Sequence, residues 1–105
     1  MTRGDVYRVR LRSQRGREQA GARYAVVLQN EALLPLSTVI VAPTSRSAAP
    51  ATFRPEVELA GERTRVLVEQ LRVVDVQRLG EPAGHLSAAE QGAVDDALAL
   101  VLDLR

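Results

Sequence analysis

The period of the apolar pattern changes at Ser87, and that change limits the folds open to this chain. Before it, apolar residues come in short alternating or β-branched runs. DVYRVRLR (5–12) sets Tyr7, Val9 and Leu11 on one face and Arg8, Arg10 and Arg12 on the other, which predicts a half-buried strand with a basic outer face. YAVVLQ (24–29) and STVIVAPTS (37–45) suit central strands. FRPEVELA (53–60) and RVLVEQLRVV (65–74) predict two more, with Pro55 placing its part of the first at an edge or a bulge. From Ser87 the spacing becomes helical. Ser87 and Glu90 form a capping-box pair, and Val94, Leu98, Val101 and Leu102 recur as an apolar stripe that Asp95, Asp96 and Asp103 avoid. Five or so strands followed by one amphipathic helix predict a small, curved antiparallel β-barrel with a helical lid.

Between the first two strands, SQRGREQAGA (13–22) has no period and reads as a loop; SAAPAT (47–52) is a loop of small residues. No repeat or low-complexity tract interrupts the chain, so residues 1–105 are expected to form one domain. The basic start lacks the apolar run of a signal peptide, and no stretch approaches the ~18–20 apolar residues of a membrane span. A cytoplasmic protein is the expectation.

Charge is distributed unevenly. Residues 1–24 carry seven Arg against Asp5 and Glu18, whereas residues 79–105 carry five carboxylates against Arg105. A phosphate-facing side and a solvated back fit that asymmetry. All fourteen basic residues are Arg, so no lysine amine is available as a titrating base. With no cysteine and a single histidine, disulfides, thiolate zinc sites and His-rich metal sites are excluded. Three aromatic residues (Tyr7, Tyr24, Phe53) do not support extensive base stacking.

Several residues have the chemistry of a site. Arg23 stands where the loop becomes a strand, positioned to give a phosphate two parallel hydrogen bonds or to make an ordinary surface ion pair. Thr44 and Ser45, followed by Arg46, leave an apolar strand after Pro43; such hydroxyls either serve an oxyanion or form a turn. Glu69, Gln70 and Arg72 interrupt an apolar run and need partners, inside the protein or in a ligand. His85 reads as a turn residue before the helix, and Glu56 and Glu58 as solvated charge. No P-loop, dinucleotide fingerprint or Ser–His–Asp set can be assembled.

Five segments together resemble the MazF/PemK (Kid) family of bacterial toxin endoribonucleases of type II toxin–antitoxin systems. RGDVYRVRL (3–11) is similar to that family's RGEIW-type first strand, and GREQAGARYAVVLQN (16–30) to its G-x-E-Q-x-G-x-R-P-V-V-V segment. VIVAPTS (39–45) is similar to its V-P-[IV]-T-S strand end, VEQLRVVD (68–75) to its E-Q-I-R strand, and GHLSAAEQGAVDDALALVLDL (84–104) to its capped helix. The resemblance implies an SH3-like barrel of about five to seven strands, assembled as a homodimer and neutralised by an antitoxin with a flexible C-terminal tail. It implies an mRNA-interferase-type endoribonuclease that cuts single-stranded RNA with no metal or other cofactor, by attack of the 2′-hydroxyl on the adjacent phosphorus. The products are a 2′,3′-cyclic phosphate and a 5′-hydroxyl.

By the same resemblance Arg23 and Thr44 are the catalytic pair, and Arg17, Glu18, Gln19, Ser45, Arg46, Glu69, Gln70 and Arg72 contact RNA. The PemK branch uses a loop histidine and an Arg-x-Asp; Arg17, Leu67 and Glu69 stand there, so the chain follows the MazF branch. Tyr24 replaces the proline that usually follows the arginine, which removes a restraint on the backbone of Arg23. Two non-catalytic readings compete. CcdB-type gyrase poisons share the barrel but depend on a Trp-Gly-Ile ending, and this chain ends VLDLR. An inactive, RNA-binding family member is the other, with Tyr24 its only hint.

Overall fold

The computed structural model describes residues 1–11, 21–34 and 36–104. Seven strands precede one helix: β1 (Asp5–Leu11), β2 (Gly21–Val27), β3 (Thr38–Ser45), β4 (Glu56–Leu59), β5 (Glu62–Val66), β6 (Arg72–Asp75), β7 (Leu79–His85) and α1 (Ala88–Leu102). They form one curled antiparallel sheet in the order β4-β5-β3-β2-β1-β7, with β6 also paired to β3. Among the described residues no ladder joins β4 to β7, so the sheet is a half-barrel.

The central strands are apolar on both faces because both faces are covered. Ala25, Val27, Val39 and Val41 pack with Val9 and Val74 on one side. Val26, Leu28 and Ala42 face the other, against Val57, Leu59, Val66, Val68, Leu86 and the helix residues Val94 and Ala97. Near-continuous apolar runs, rather than strict alternation, follow from that double burial. The helix begins as expected: the Ser87 hydroxyl accepts from the Glu90 amide at 3.1 Å, and the Glu90 carboxylate accepts from the Ser87 amide at 2.9 Å. The second Glu90 oxygen accepts from the Glu58 amide, tying the helix to β4. Leu98 and Val101 are half-buried, whereas Leu102 points to solvent.

Two sequence expectations change. The run 65–74 is not one strand. Thr44 pairs with Val66 and Val41 with Arg72, so three steps along β3 match six on the partner segment. The extra residues form a 3-10 turn at Val68–Gln70, and Val66, Leu67 and Val68 are all buried in succession. Second, His85 is not in a turn; it ends β7, an edge strand of composition LGEPAGH that pairs with β1 through two register shifts.

Pro43 fits inside β3 because the ladder on that edge changes partner there, from β6 at residues 38–41 to β5 at 44–45. No amide is needed at the gap, and the Pro43 carbonyl accepts from the Leu67 amide at 2.8 Å. The strand is thereby carried two residues further, and Thr44 and Ser45 are held in it.

Candidate functional site

A cleft of about 360 Å³ opens between the β1-β2-β3 end of the sheet and the β4–β5 hairpin. Among the described residues it is lined by Arg8 of β1, Arg23 and Tyr24 of β2, Thr44 and Ser45 of β3, the following Arg46 and Ser47, and the hairpin residues Leu59, Glu62 and Thr64. Three guanidinium groups meet one carboxylate there, so the cleft favours anions.

Each wall has a local cause. Arg23 sits opposite Val9 and Tyr24 opposite Arg8 in the β1–β2 ladder. Strand pairing therefore holds Arg23 extended where a following proline would otherwise do so. Thr44 is only 2% exposed and meets the cleft over a small part of its surface. Its hydroxyl donates to the Tyr24 carbonyl at 3.2 Å, bonding the end of β3 to the residue beside Arg23. Thr44 thus makes no turn; Ser45 does, its hydroxyl accepting from the Ser47 amide at 3.3 Å. The hairpin wall turns through Ala60 and Gly61, both at positive φ, as a two-residue loop between paired Leu59 and Glu62 requires. Arg46 reaches across to Glu62 at 2.7 Å, with both side chains more than half exposed.

The sequence candidates divide into three groups. Arg23, Thr44, Ser45 and Arg46 come together in the cleft although Arg23 belongs to β2 and the others to β3 and its exit. Glu69, Gln70 and Arg72 do not line it. Glu69 finds an internal partner, receiving two hydrogen bonds from Arg54 at 2.6 and 2.8 Å, while one of its carboxylate oxygens is buried with no partner. Gln70 lies half-buried in the 3-10 turn and Arg72 half-buried in β6. Arg17, Glu18 and Gln19 fall outside the described residues. Arg8, Glu62 and Thr64 were not anticipated as site residues. The only signal for Arg8 was the basic face of the first strand, which points to the cleft once Arg8 is known to oppose Tyr24.

Several charged groups away from the cleft are engaged within the fold. His85 Nδ1 lies 2.6 Å from Asp5. Slight burial alone would raise the Asp5 carboxyl, but hydrogen bonds from His85 and Thr2 outweigh it and hold it below the usual range. Glu90 is lowered in the same way: burial raises it, and hydrogen bonds from Ser87 and Glu58 prevail. Glu56 is paired with Arg63 and Arg65 rather than merely solvated. Among the described residues no three His, Asp or Glu side chains converge as a metal site requires, and no helix is long and apolar enough to cross a membrane.

Comparison with known proteins gives the cleft its context. A candidate toxin of Mycobacterium tuberculosis, Rv3098A, is 45% identical over 104 residues, covering 97% of both chains. The structure of a mycobacterial endoribonuclease in complex with its cognate antitoxin superposes with a TM-score of 0.86 at 20% identity, over 100% of this chain and 97% of that one. MazF from Deinococcus radiodurans gives 0.84 at 24% identity, over 98% and 96%. Those two likenesses establish the fold. Residues 2–102 match the family described as PemK-like, MazF-like toxin of type II toxin–antitoxin system. The chain is a member of that toxin family.

Proposed function

We propose that the chain, acting as one cytoplasmic domain, is a sequence-selective endoribonuclease toxin that cuts single-stranded RNA in the Arg23–Thr44 cleft. The observation that carries this reading is the convergence of Arg23 and Thr44 on one cationic cleft in a chain of this family. The family's printed type II toxin–antitoxin setting supports an antitoxin as second partner. A homodimer draws support from apolar side chains left in solvent, among them the cross-strand neighbours Ile40 and Val73. An SH3-like barrel is the reading of the half-barrel that suits both partners.

The chemistry follows from the residues present. The substrate supplies the nucleophile: its 2′-oxygen bonds to the adjacent phosphorus and the bond to the 5′-oxygen breaks. The 2′-hydroxyl proton is in effect transferred to that leaving oxygen. The products are a 2′,3′-cyclic phosphate and a 5′-hydroxyl. Holding the reacting groups in line supplies the entropic part of the acceleration. Arg23 stabilises the added negative charge of the five-coordinate phosphorus with donors already in place. Its pKa above ~12 suits that electrostatic role better than proton transfer. Thr44 bonds a non-bridging oxygen, which requires its hydroxyl to exchange the Tyr24 carbonyl for the phosphate. Ser45, Arg46 and the residues Arg17, Glu18 and Gln19 bind the flanking RNA, whereas Glu69 serves the fold by holding Arg54.

The test is to incubate the protein with a long unstructured RNA in EDTA, beside Arg23→Ala, and to map the new 5′ ends. Discrete cuts bearing 5′-hydroxyls, lost in the variant, are the expected result. Full cleavage by Arg23→Ala would remove the site assignment, and dependence on a divalent ion would remove the mechanism.

A further inference from the structure

We infer that Arg8 and Tyr24 form a stacking platform for one nucleobase of single-stranded RNA, next to the phosphate held at Arg23. This rests on the endoribonuclease reading and adds a base-binding subsite to it.

The two residues face each other across the β1–β2 ladder, and the Arg8 guanidinium lies over the Tyr24 ring, 5.6 Å from its centre. Tyr24 is half-buried and anchored on the core, while Arg8 is exposed. An anchored ring with a cation laid over it is a flat, pre-ordered surface, and its guanidinium plane is able to carry a base. Both residues line the cleft, and Tyr24 is the only aromatic residue that does so among those described. The platform is built into the reacting centre. Tyr24 follows Arg23 directly, and its carbonyl accepts from the Thr44 hydroxyl. Gly80 of β7 lets the edge strand close on the Arg8 backbone: a Cβ there would stand 3.1 Å from the Arg8 carbonyl oxygen and require a displacement of a few tenths of an ångström.

The molecule contains its own control. Arg54 lies over Phe53 at 5.5 Å, the same kind of contact, but Phe53 and Arg54 are not in the cleft. Arg54 is committed to Glu69 and to the Ala49 carbonyl, which marks that pair as a fastening of the β3–β4 connection. Among the described residues Arg8 makes no such ion pair. Because every base has a π-face, the platform contributes affinity at one RNA position with little preference for which base stands there.

The experiment uses a short RNA spanning a mapped cleavage site, made uncleavable with 2′-O-methyl groups, and an abasic unit moved along it one position at a time. Affinity is measured for the unaltered protein and for Arg8→Lys, Tyr24→Leu and Phe53→Leu. Arg8→Lys keeps the charge and removes the plane. In the unaltered protein one abasic position is expected to weaken binding about tenfold. In Arg8→Lys and in Tyr24→Leu that penalty should shrink to about twofold or less, and in Phe53→Leu it should persist. If RNA is bound and cut but the penalty at every position is the same in all four proteins, the platform is wrong and the endoribonuclease reading stands. If RNA is neither bound nor cut, both fall together.

Discussion

The clasp at the N-terminus and the cleft at the other end of β2 use the same side-chain types in opposite ways. In the clasp, Arg3 donates to the Leu28 carbonyl at 2.8 Å and pairs with Asp95 at 2.7 Å, and Asp5 bonds His85 and Thr2. These contacts come from distant parts of the chain, joining the N-terminal segment and β1 to β7 and α1. In the cleft three arginines share one carboxylate, and a hydroxyl is tied to a carbonyl instead of an anion. The clasp side chains bond one another within the protein; the described lining of the cleft holds more positive than negative side chains.

That contrast is tested most severely by removing one arginine from each region. Arg23→Ala should lower cleavage by about a hundredfold or more, the scale of losing one pre-placed donor to a developing oxyanion. Arg3→Ala should leave the cleavage rate constant of the folded protein unchanged and lower stability by roughly 1–2 kcal/mol, because a part-buried carbonyl and Asp95 lose their partner. Cleavage kinetics and denaturant midpoints on both variants decide the matter. If the two arginines gave the same pair of effects, the clasp and the cleft would not be distinct devices.

Ionic strength probes the excess charge directly. Each phosphate neutralised on a single strand adds about −0.7 to the slope of log affinity against log salt. With Arg8 stacked on a base, the cleft arginines left for phosphate, Arg23 and Arg46, contribute about −1.4 to the slope, of which Arg46→Ala removes about 0.7. A slope near zero would mean that Arg46 stays with Glu62 and that the cleft does not grip phosphate.

How far the sequence anticipates this picture depends on how local each feature is. The helix was legible because its cap is written in four consecutive positions, Ser87 to Glu90. The central strands were legible because β-branched runs have few other uses. The break in the run 65–74 was not, since Val66, Leu67 and Val68 look like strand residues until β3 is seen to take two partners along one edge. β7 was missed because an edge strand exposed over most of its length needs no apolar signal. The cleft was half legible. Arg23 and Thr44 were reached from their places at strand ends and from the family resemblance. Arg8, Glu62 and Thr64 join them only through the register of two hairpins, which no single stretch of sequence encodes. Glu69 shows the converse: a polar residue in an apolar run signalled a partner, and the partner proved to be Arg54.

Acid should weaken the clasp side. The Asp5 and Glu90 carboxyls are held below their unfolded values by the hydrogen bonds they accept. A depressed carboxyl contributes stability that is complete above its unfolded pKa, about 4, and is lost as pH falls through the lower folded value, because the unfolded chain binds more protons there. Stability should therefore fall as pH drops below about 4, and the fall should shrink in Asp5→Asn combined with Glu90→Gln. Denaturant midpoints across that range measure it, and an unchanged fall in the double variant would assign acid sensitivity to other carboxylates.

The smallest expected effect lies on the cleft side, at the hairpin turn. Ala60 and Gly61 both adopt positive φ, +53° and +78°, the signature of a type I′ turn. Glycine at the second position carries no Cβ and adopts this conformation freely, whereas alanine at the first is strained by about 1 kcal/mol. Asparagine tolerates the left-handed region and is favoured before glycine in such turns. Ala60→Asn should therefore raise stability by roughly 0.5 kcal/mol, about two to three degrees of Tm for a domain of this size. Ala60 lies outside the cleft lining while Leu59 and Glu62 on either side belong to it. A tighter turn that also slowed RNA turnover would show that the hairpin must move during the reaction. Higher stability with unaltered turnover would show it to be a fixed wall.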